Sequence, residues 1–183
     1  MVDVIRLIKA GKKVVAMVAP ATEGQFGSDI TMESWRVALK QMGFADMVEV
    51  ALGGDMTAAY EAEEWAEAYK EGKKMTTSCC PAFENMIKQH FPMLLDNMST
   101  TVSPMCAVSR LLKSQDHDVV TVFIGPCIAK KSESLEMCIR DSGRGDRHTS
   151  GVDRRAALLF QALSGYSGPV CLDLCHYCDQ RCL

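Results

Sequence analysis

Strand-like apolar runs alternate with capped helical segments over the first two thirds of this 183-residue chain. The first run, KKVVAMVAP, ends at Pro20 and is continuously apolar, which is typical of a strand covered on both faces. Further short strands are predicted over residues 47–52, 74–78 and 119–124. Because this alternation favours parallel strands joined by right-handed crossovers, we predict an α/β fold of parallel sheets flanked by helices.

Two helices are expected between these strands. Ser28 or Asp29 is expected to cap a helix that runs to about residue 42 and stops at Gly43. A turn at glycines 53–54 is expected next, followed by a helix over residues 56–70 with Asp55 as its N-cap. This second helix is acidic, and its charges alone indicate no more than a solvated face; its glutamates are Glu61, Glu63, Glu64 and Glu67.

Proline marks the start of two more helices, because its fixed φ suits the first helical position. Pro81 predicts a helix over residues 81–90, and Ser103 with Pro104 predicts a capped helix over residues 105–113. The first of these helices presents Cys79 and Cys80 at its N-terminus, where the helix dipole favours a thiolate. One thiol could bind a metal while the other faces a cavity, or both could be structural.

Thiols are also numerous in the chain as a whole. Nine cysteines form an odd count, which argues against a disulfide scaffold and leaves buried thiols, reactive thiols or metal ligands. Cys127 follows the predicted strand 119–124, and Lys130 lies three residues beyond it. Carboxyl ends of parallel strands form sites, and thiolates there with a nearby cation suit an iron–sulfur cluster. Two cysteines do not complete a cubane, so further ligands are required.

Two segments resemble the signature motifs of the iron-only (FeFe) hydrogenases. TTSCCPAF, at residues 76–83, resembles TSCCPxW, and FIGPCIAKKSE, at residues 123–133, resembles MPCxxKxxE. STTVSPM, at residues 99–105, is similar to the serine-rich segment that separates these motifs in the family, and VAPA and GGDMTAAYEAEE resemble two segments upstream of them. The resemblance covers residues 14–133 and implies a two-lobed H-cluster domain whose second lobe is incomplete here.

The resemblance implies a cofactor and a reaction. The H-cluster is a 4Fe-4S cubane bridged by a cysteine to a diiron unit with carbonyl, cyanide and dithiolate ligands, and it catalyses the reversible reduction of protons to H2. By motif position, Cys80 and Cys127 would ligate the cubane, and Cys79 would deliver protons beside the diiron unit. The implied substrates are H2 and protons, and the implied electron partner is a ferredoxin or another electron-transfer subunit.

The resemblance also implies a pocket and a proton path. Lys130 would bind a cyanide ligand, and Pro20 and Ser103 would line the same pocket. The path from solvent would use carboxylates and one hydroxyl: Glu61, Glu64, Ser99 and Glu133. Departures from the family motifs alter the diiron pocket and suggest a divergent, sensory member as an alternative to an enzyme; they are Gly125 for Met, Phe83 for Trp and Met105 for the frequent Gln.

The last third of the chain lacks the third family motif, ExMxCxxGCxxGGG, which supplies two cubane ligands. LEMCIRDS, at residues 135–142, resembles translated adapter sequence, so we expect a partial H-cluster domain over residues 1–133 and an unassigned, non-native tail over 134–183. The tail is rich in cysteine, and its C-x3-C-x2-C spacing from Cys171 is that of radical S-adenosylmethionine enzymes. Adventitious zinc or cluster binding and a tail without function are the alternatives.

Composition narrows the partners and the location. A formal charge of −3 and a pI near 5.8 provide no electrostatic basis for a nucleic acid partner. No apolar run reaches the length of a membrane span, and no export signal is evident at the start, so a cytoplasmic protein is expected. A non-catalytic iron–sulfur-binding or assembly relative, in which the cubane is structural, is the alternative to a hydrogenase.

Overall fold

A computed structural model of the chain describes residues 2–134 and 171–175. Five α-helices and four strands are described, with 3-10 helices at Pro20–Thr22 and Pro92–Asn97 and a helical segment that begins at Lys130. In chain order the main elements are α1 Val2–Lys9, β1 Val14–Val18, α2 Met32–Gln41, β2 Asp46–Glu49, α3 Ala51–Lys70, α4 Pro81–His90, α5 Pro104–Gln115, β3 Val120–Gly125 and β4 Cys171–Cys175.

The described strands form one sheet in the order β2-β1-β3-β4. Strand β1 pairs in parallel with β2, with Val15 opposite Asp46, and in parallel with β3, with Val14 opposite Val120. Strand β4 pairs with β3 in the antiparallel direction. The helices between β1, β2 and β3 flank this sheet, so the predicted α/β class with parallel strands is confirmed.

Strand β1 is buried along its whole length because helices cover both faces of the sheet. Successive side chains of a strand point to opposite faces. Val14, Ala16 and Val18 pack with Trp35 and Leu39 of α2, together with α1. On the opposite face, Met17 of β1 packs with α5 and β3. This cluster includes Met105 and Val108 of α5 and Phe123 of β3. This double coverage explains the continuous apolar run in the sequence.

The start of α2 differs from the prediction. Ser28 and Asp29 do not cap this helix; Thr31 does, and its hydroxyl accepts a hydrogen bond from the backbone N–H of Ser34 at 3.3 Å. A threonine with extended backbone immediately before the first helical residue satisfies an otherwise orphaned donor. Gly43 ends the helix as predicted, with a φ of 99° that favours glycine.

Helix α3 begins before the glycines that predicted a turn. The structure places α3 over Ala51–Lys70, so the 53–54 turn, the Asp55 cap and the extension of the second strand to residue 52 were wrong. Gly53 is buried against α5, where a Cβ would clash with the carbonyl oxygen of Pro104. Glycine is therefore needed for close packing of α3 on α5, and this tertiary requirement outweighs its low helix propensity.

The predicted strand over residues 74–78 is also wrong. This segment forms only an isolated parallel bridge between Thr76 and Met98. The backbone N–H of Thr76 donates to Asn97, and the N–H of Ser99 donates to Thr76, at 2.7 and 2.8 Å. The two loops that precede α4 and α5 are therefore joined to each other rather than to the sheet.

Candidate thiol site and its hydrogen-bond network

The thiol pair lies at the start of α4, as the proline predicted. Cys80 is the N-cap residue, and Pro81 occupies the first turn. The Cys80 side chain makes no capping hydrogen bond and is exposed, whereas Cys79 is half-buried. Neither is in a disulfide. Both cysteines therefore have free thiols that are at least partly accessible to solvent.

Glu61 of α3 holds the loop that leads into this pair. The Thr77 hydroxyl donates to the two carboxylate oxygens of Glu61 at 2.7 and 3.0 Å, and the Ser78 N–H donates at 3.1 Å. The Cys79 N–H in turn donates to the Thr77 hydroxyl at 3.3 Å. The backbone of Cys79 is thus two hydrogen bonds from the Glu61 carboxylate.

Glu64, one turn further along α3, holds the segment before α5. It accepts hydrogen bonds from the hydroxyls of Ser99, Thr100 and Thr101 and from the Thr100 N–H. Burial disfavours the carboxylate, but these donated hydrogen bonds outweigh burial and lower the pKa of Glu64 below its ordinary value. The Ser78 hydroxyl donates to the Thr101 carbonyl at 2.5 Å, so the two loops are also linked directly.

Lys130 of the second motif contacts residues 76–80, here called the thiol loop. Its ammonium donates to the Cys79 carbonyl at 3.4 Å and to Glu133 at 2.7 Å. The side chains of this ion pair are only 11% and 15% exposed, so water screens it weakly. The other oxygen of Glu133 accepts a hydrogen bond from the thiol of Cys106 at 3.4 Å. Burial, with the Glu133 charge second, raises the pKa of Cys106 to about 12.

Seven of the ten predicted site residues lie on this connected network: Glu61, Glu64, Cys79, Ser99, Ser103, Lys130 and Glu133. Within the described ranges, the side chains of Cys80, Cys127 and Pro20 lie outside it. Pro20 is exposed and opens the 3-10 helix after β1, and half-buried Cys127 follows β3. β1 and β3 are neighbours, since the N–H of Ala19 donates to Ile124 at 2.8 Å. The two residues therefore follow adjacent strand ends.

Sequence reasoning missed Cys106 and the role of the threonines. Cys106 lies in neither motif, and only its position three residues after the Ser103 cap could have drawn attention to it. The threonines carried a clearer signal. The chain has two hydroxyl-rich runs, at residues 76–78 and 99–101, and a predicted helix with two carboxylates three residues apart, Glu61 and Glu64. Carboxylates accept hydrogen bonds from hydroxyls, so the two runs were candidate partners for the two glutamates.

The donor set fits part of a cluster site. Cys80 and Cys127 are not in disulfides and are at least partly exposed, which suits two of the four thiolates that a cubane requires. In the described part of the chain, no three His, Cys, Asp or Glu side chains are grouped so as to hold a metal ion. The site as described therefore matches a cubane in ligand type and requires two further thiolates.

The fold and site define an α/β protein in which a lysine–glutamate pair contacts the backbone of a thiol pair at a helix N-terminus. The family model for the iron-only hydrogenase large subunit, C-terminal domain, matches residues 12–153. The chain belongs to this family. Within the described residues, no helix combines the length and apolar character needed to cross a membrane.

Individual relatives agree with the family match. The chain is 30% identical over 179 residues to the periplasmic Fe hydrogenase large subunit of Nitratidesulfovibrio vulgaris, covering 87% of this chain and 42% of that protein. A variant of FeFe-hydrogenase HydA1 from Chlamydomonas reinhardtii superposes with a TM-score of 0.64 at 25% identity, covering 72% of this chain and 39% of that one.

A third relative is the cytosolic Fe-S cluster assembly factor NAR1 of Candida dubliniensis, 28% identical over 112 residues, which cover 57% of this chain and 19% of that protein. The chain spans less than half the length of each of these relatives. The similarity therefore concerns one part of these longer proteins.

Proposed function

We propose that this chain is part of an H-cluster domain that catalyses the reversible reduction of protons to H2. The observation that carries the proposal is the contact between the two motifs. Lys130 donates to the carbonyl of Cys79, although 51 residues separate them in the sequence. This contact supports the proposal, because it joins the lysine of the second motif to the backbone of the thiol pair in the first. Gly125, Phe83 and Met105 depart from those motifs, and a sensory member is the variant of this proposal that they favour.

In this proposal the thiols divide the work. Cys80 and Cys127 hold the cubane, together with two thiolates from outside the described residues, and Cys79 delivers the proton. When bound, the H-cluster would pass electrons from the electron partner to protons and would supply the iron site for H2 formation. Lys130 binds an anionic cyanide ligand, for which a poorly screened ammonium is suited. Pro20 and Ser103 line the pocket.

The proposed proton path uses Glu61, Glu64, Ser99 and Glu133. The hydrogen bond between Ser99 and Glu64 supports this assignment, as does the proximity of Glu61 to the Cys79 backbone through Thr77. Proton transfer needs donors and acceptors within hydrogen-bond reach, directly or through one water. The Ser99–Glu64 and Thr77–Glu61 pairs meet that condition directly.

The test is anaerobic reconstitution, with iron, sulfide and a synthetic diiron cofactor, of the chain continued along its genomic reading frame to include the third family motif, followed by measurement of H2 evolution with reduced ferredoxin. We expect iron uptake and H2 evolution. Cys79→Ser should abolish H2 evolution while the cubane absorbance stays, and Glu63→Gln on the exposed face of α3 should match the wild type. Full H2 evolution in Cys79→Ser would refute the assignment of Cys79.

A non-catalytic iron–sulfur-binding or assembly relative is the second candidate function. The similarity to NAR1 favours it, since that protein is named as an assembly factor. In this case the cubane is structural, and Cys79 has no proton to deliver. A reconstituted chain that takes up a cubane and evolves no H2, with or without Cys79, would support this candidate over the enzyme.

The proposal extends to the electron partner, the cellular location and the division of the chain into domains. We propose a ferredoxin or another electron-transfer subunit as the electron partner and the cytoplasm as the location. Because one relative is named as periplasmic, cell fractionation with an antibody against the chain tests the location directly. The division after Glu133 is tested by the genomic reading frame beyond that residue, which should encode the third family motif.

A further inference from the structure

A buried thiol outside both family motifs lies behind the lysine–glutamate pair. Cys106 is in the first turn of α5 and is 3% exposed. Its N–H donates to the hydroxyl of the N-cap residue Ser103 at 3.5 Å, and that hydroxyl donates to the Cys106 sulfur at 3.4 Å. The sulfur therefore accepts one hydrogen bond and keeps its own proton for another partner.

That partner is Glu133. The Cys106 thiol donates to Oε1 of Glu133 at 3.4 Å, while Oε2 accepts from Lys130 at 2.7 Å. Each carboxylate oxygen thus has its own donor, one from α5 and one from the second motif. Lys130 also donates to the Cys79 carbonyl. A continuous series of hydrogen bonds therefore connects the N-cap of α5 to the thiol loop.

We propose that Cys106 is a positioning residue that orients Glu133, so that Glu133 in turn holds Lys130 against the Cys79 carbonyl. The proposal rests on the proposed function for the importance of Lys130, but the geometry it describes belongs to the protein without its cofactor. Burial keeps the thiol protonated near neutral pH, since the pKa of Cys106 is raised to about 12. It is therefore a permanent donor.

Removal of this donor should loosen Lys130. Without the thiol, Oε1 of Glu133 loses a hydrogen-bond partner at a site where water has limited access, and the carboxylate gains by turning toward solvent. Lys130 then loses its fixed counter-ion. Because a thiol is a weak donor, its hydrogen bond to the carboxylate is assigned the ordinary net contribution of an intramolecular hydrogen bond, which is equivalent to about a fivefold change in an equilibrium. We therefore expect a change of that size in the accessibility of Lys130.

The test compares Cys106→Ala with Cys106→Ser in the full chain, purified anaerobically without cofactor. The readout is the rate at which an amine-reactive acylating reagent modifies Lys130, measured by peptide mass spectrometry relative to the exposed Lys12. Alanine and serine are both smaller than cysteine, but only serine retains a donor. We expect acylation of Lys130 to rise about fivefold in Cys106→Ala and to stay within about twofold of the wild type in Cys106→Ser.

Equal increases in the two variants would mean that Cys106 only fills space, and an unchanged rate in Cys106→Ala would mean that it does not act on Lys130; either result overturns the proposal. If Cys106→Ala does not fold, Cys106→Val restores the volume without the donor and should show the same increase. A wild-type rate in Cys106→Val would likewise overturn it. H2 evolution plays no part in this measurement, so failure of the proposed function leaves the result unaffected.

Discussion

Glu64→Gln tests whether a single carboxylate holds residues 99–101 against α3. Glu64 accepts hydrogen bonds from Ser99, Thr100 and Thr101. The glutamine amide keeps one acceptor oxygen and turns an N–H donor toward groups that are themselves donors. Because a hydrogen bond to a charged group contributes about 1.5–3 kcal/mol, we expect the free energy of unfolding to fall by about 2 kcal/mol.

The loss should depend on pH. The pKa of Glu64 is lowered in the folded protein from a reference value of 4.5, so the unfolded state binds more protons on acidification. The stability that ionised Glu64 contributes is therefore fully present above the reference value and is lost as the pH falls through the lower folded value. The difference between the wild type and Glu64→Gln should be constant near neutral pH and should narrow below about pH 4.5.

Urea unfolding followed by circular dichroism measures this difference, with the slope of the transition checked for two-state behaviour. Glu63→Gln is the matched control, because Glu63 is the adjacent residue of α3 and is exposed. We expect the control to change the free energy of unfolding by less than about 0.5 kcal/mol. Equal losses in the two variants, or a difference that persists unchanged in acid, would refute the reasoning.

Three substitutions and one chemical modification probe the packing, a helix cap and the buried thiol. Gly53→Ala should lower the free energy of unfolding, measured by thermal denaturation, by about 1–3 kcal/mol because the Cβ of the alanine would clash with the Pro104 carbonyl. Gly54→Ala, which has open space, should be neutral or stabilising by up to about 1 kcal/mol; the same effect at both positions would contradict the packing. Ser103→Ala should lower the free energy of unfolding by about 1 kcal/mol through loss of a helix cap, and an unchanged urea midpoint would argue against that cap. Alkylation with iodoacetamide near pH 8 should leave Cys106 unmodified in the folded protein, because its pKa is about 12, and should modify it after denaturation; mass spectrometry distinguishes the two.

Local signals predicted the elements that depend on local chemistry. Pro81 and Pro104 predicted the starts of α4 and α5, and the Ser103 cap is present as expected. The continuous apolar runs predicted β1 and β3, and the strand–helix alternation predicted their parallel pairing. These features depend on backbone sterics, helix capping and the pattern of apolar residues. Residues close together in the chain determine all three.

Other elements followed from contacts between distant residues. The local sequence predicted a turn at Gly53, but this glycine lies inside α3, where it allows the close approach of α5. The local sequence predicted a strand over residues 74–78, but this segment pairs with the loop near Met98 and donates hydrogen bonds to the carboxylate of Glu61. Neither partner is visible from the local sequence, because each lies more than a dozen residues away.

For the site, the sequence by itself determined the chemical types: paired thiols, a lysine three residues beyond a third thiol, and two carboxylates on one helix. The tertiary structure alone decided which of these groups meet. It joined Lys130 to the Cys79 backbone and placed Cys106 behind Glu133. Side-chain chemistry is a property of each residue, whereas a hydrogen bond between distant residues depends on the position of the whole sheet and its helices.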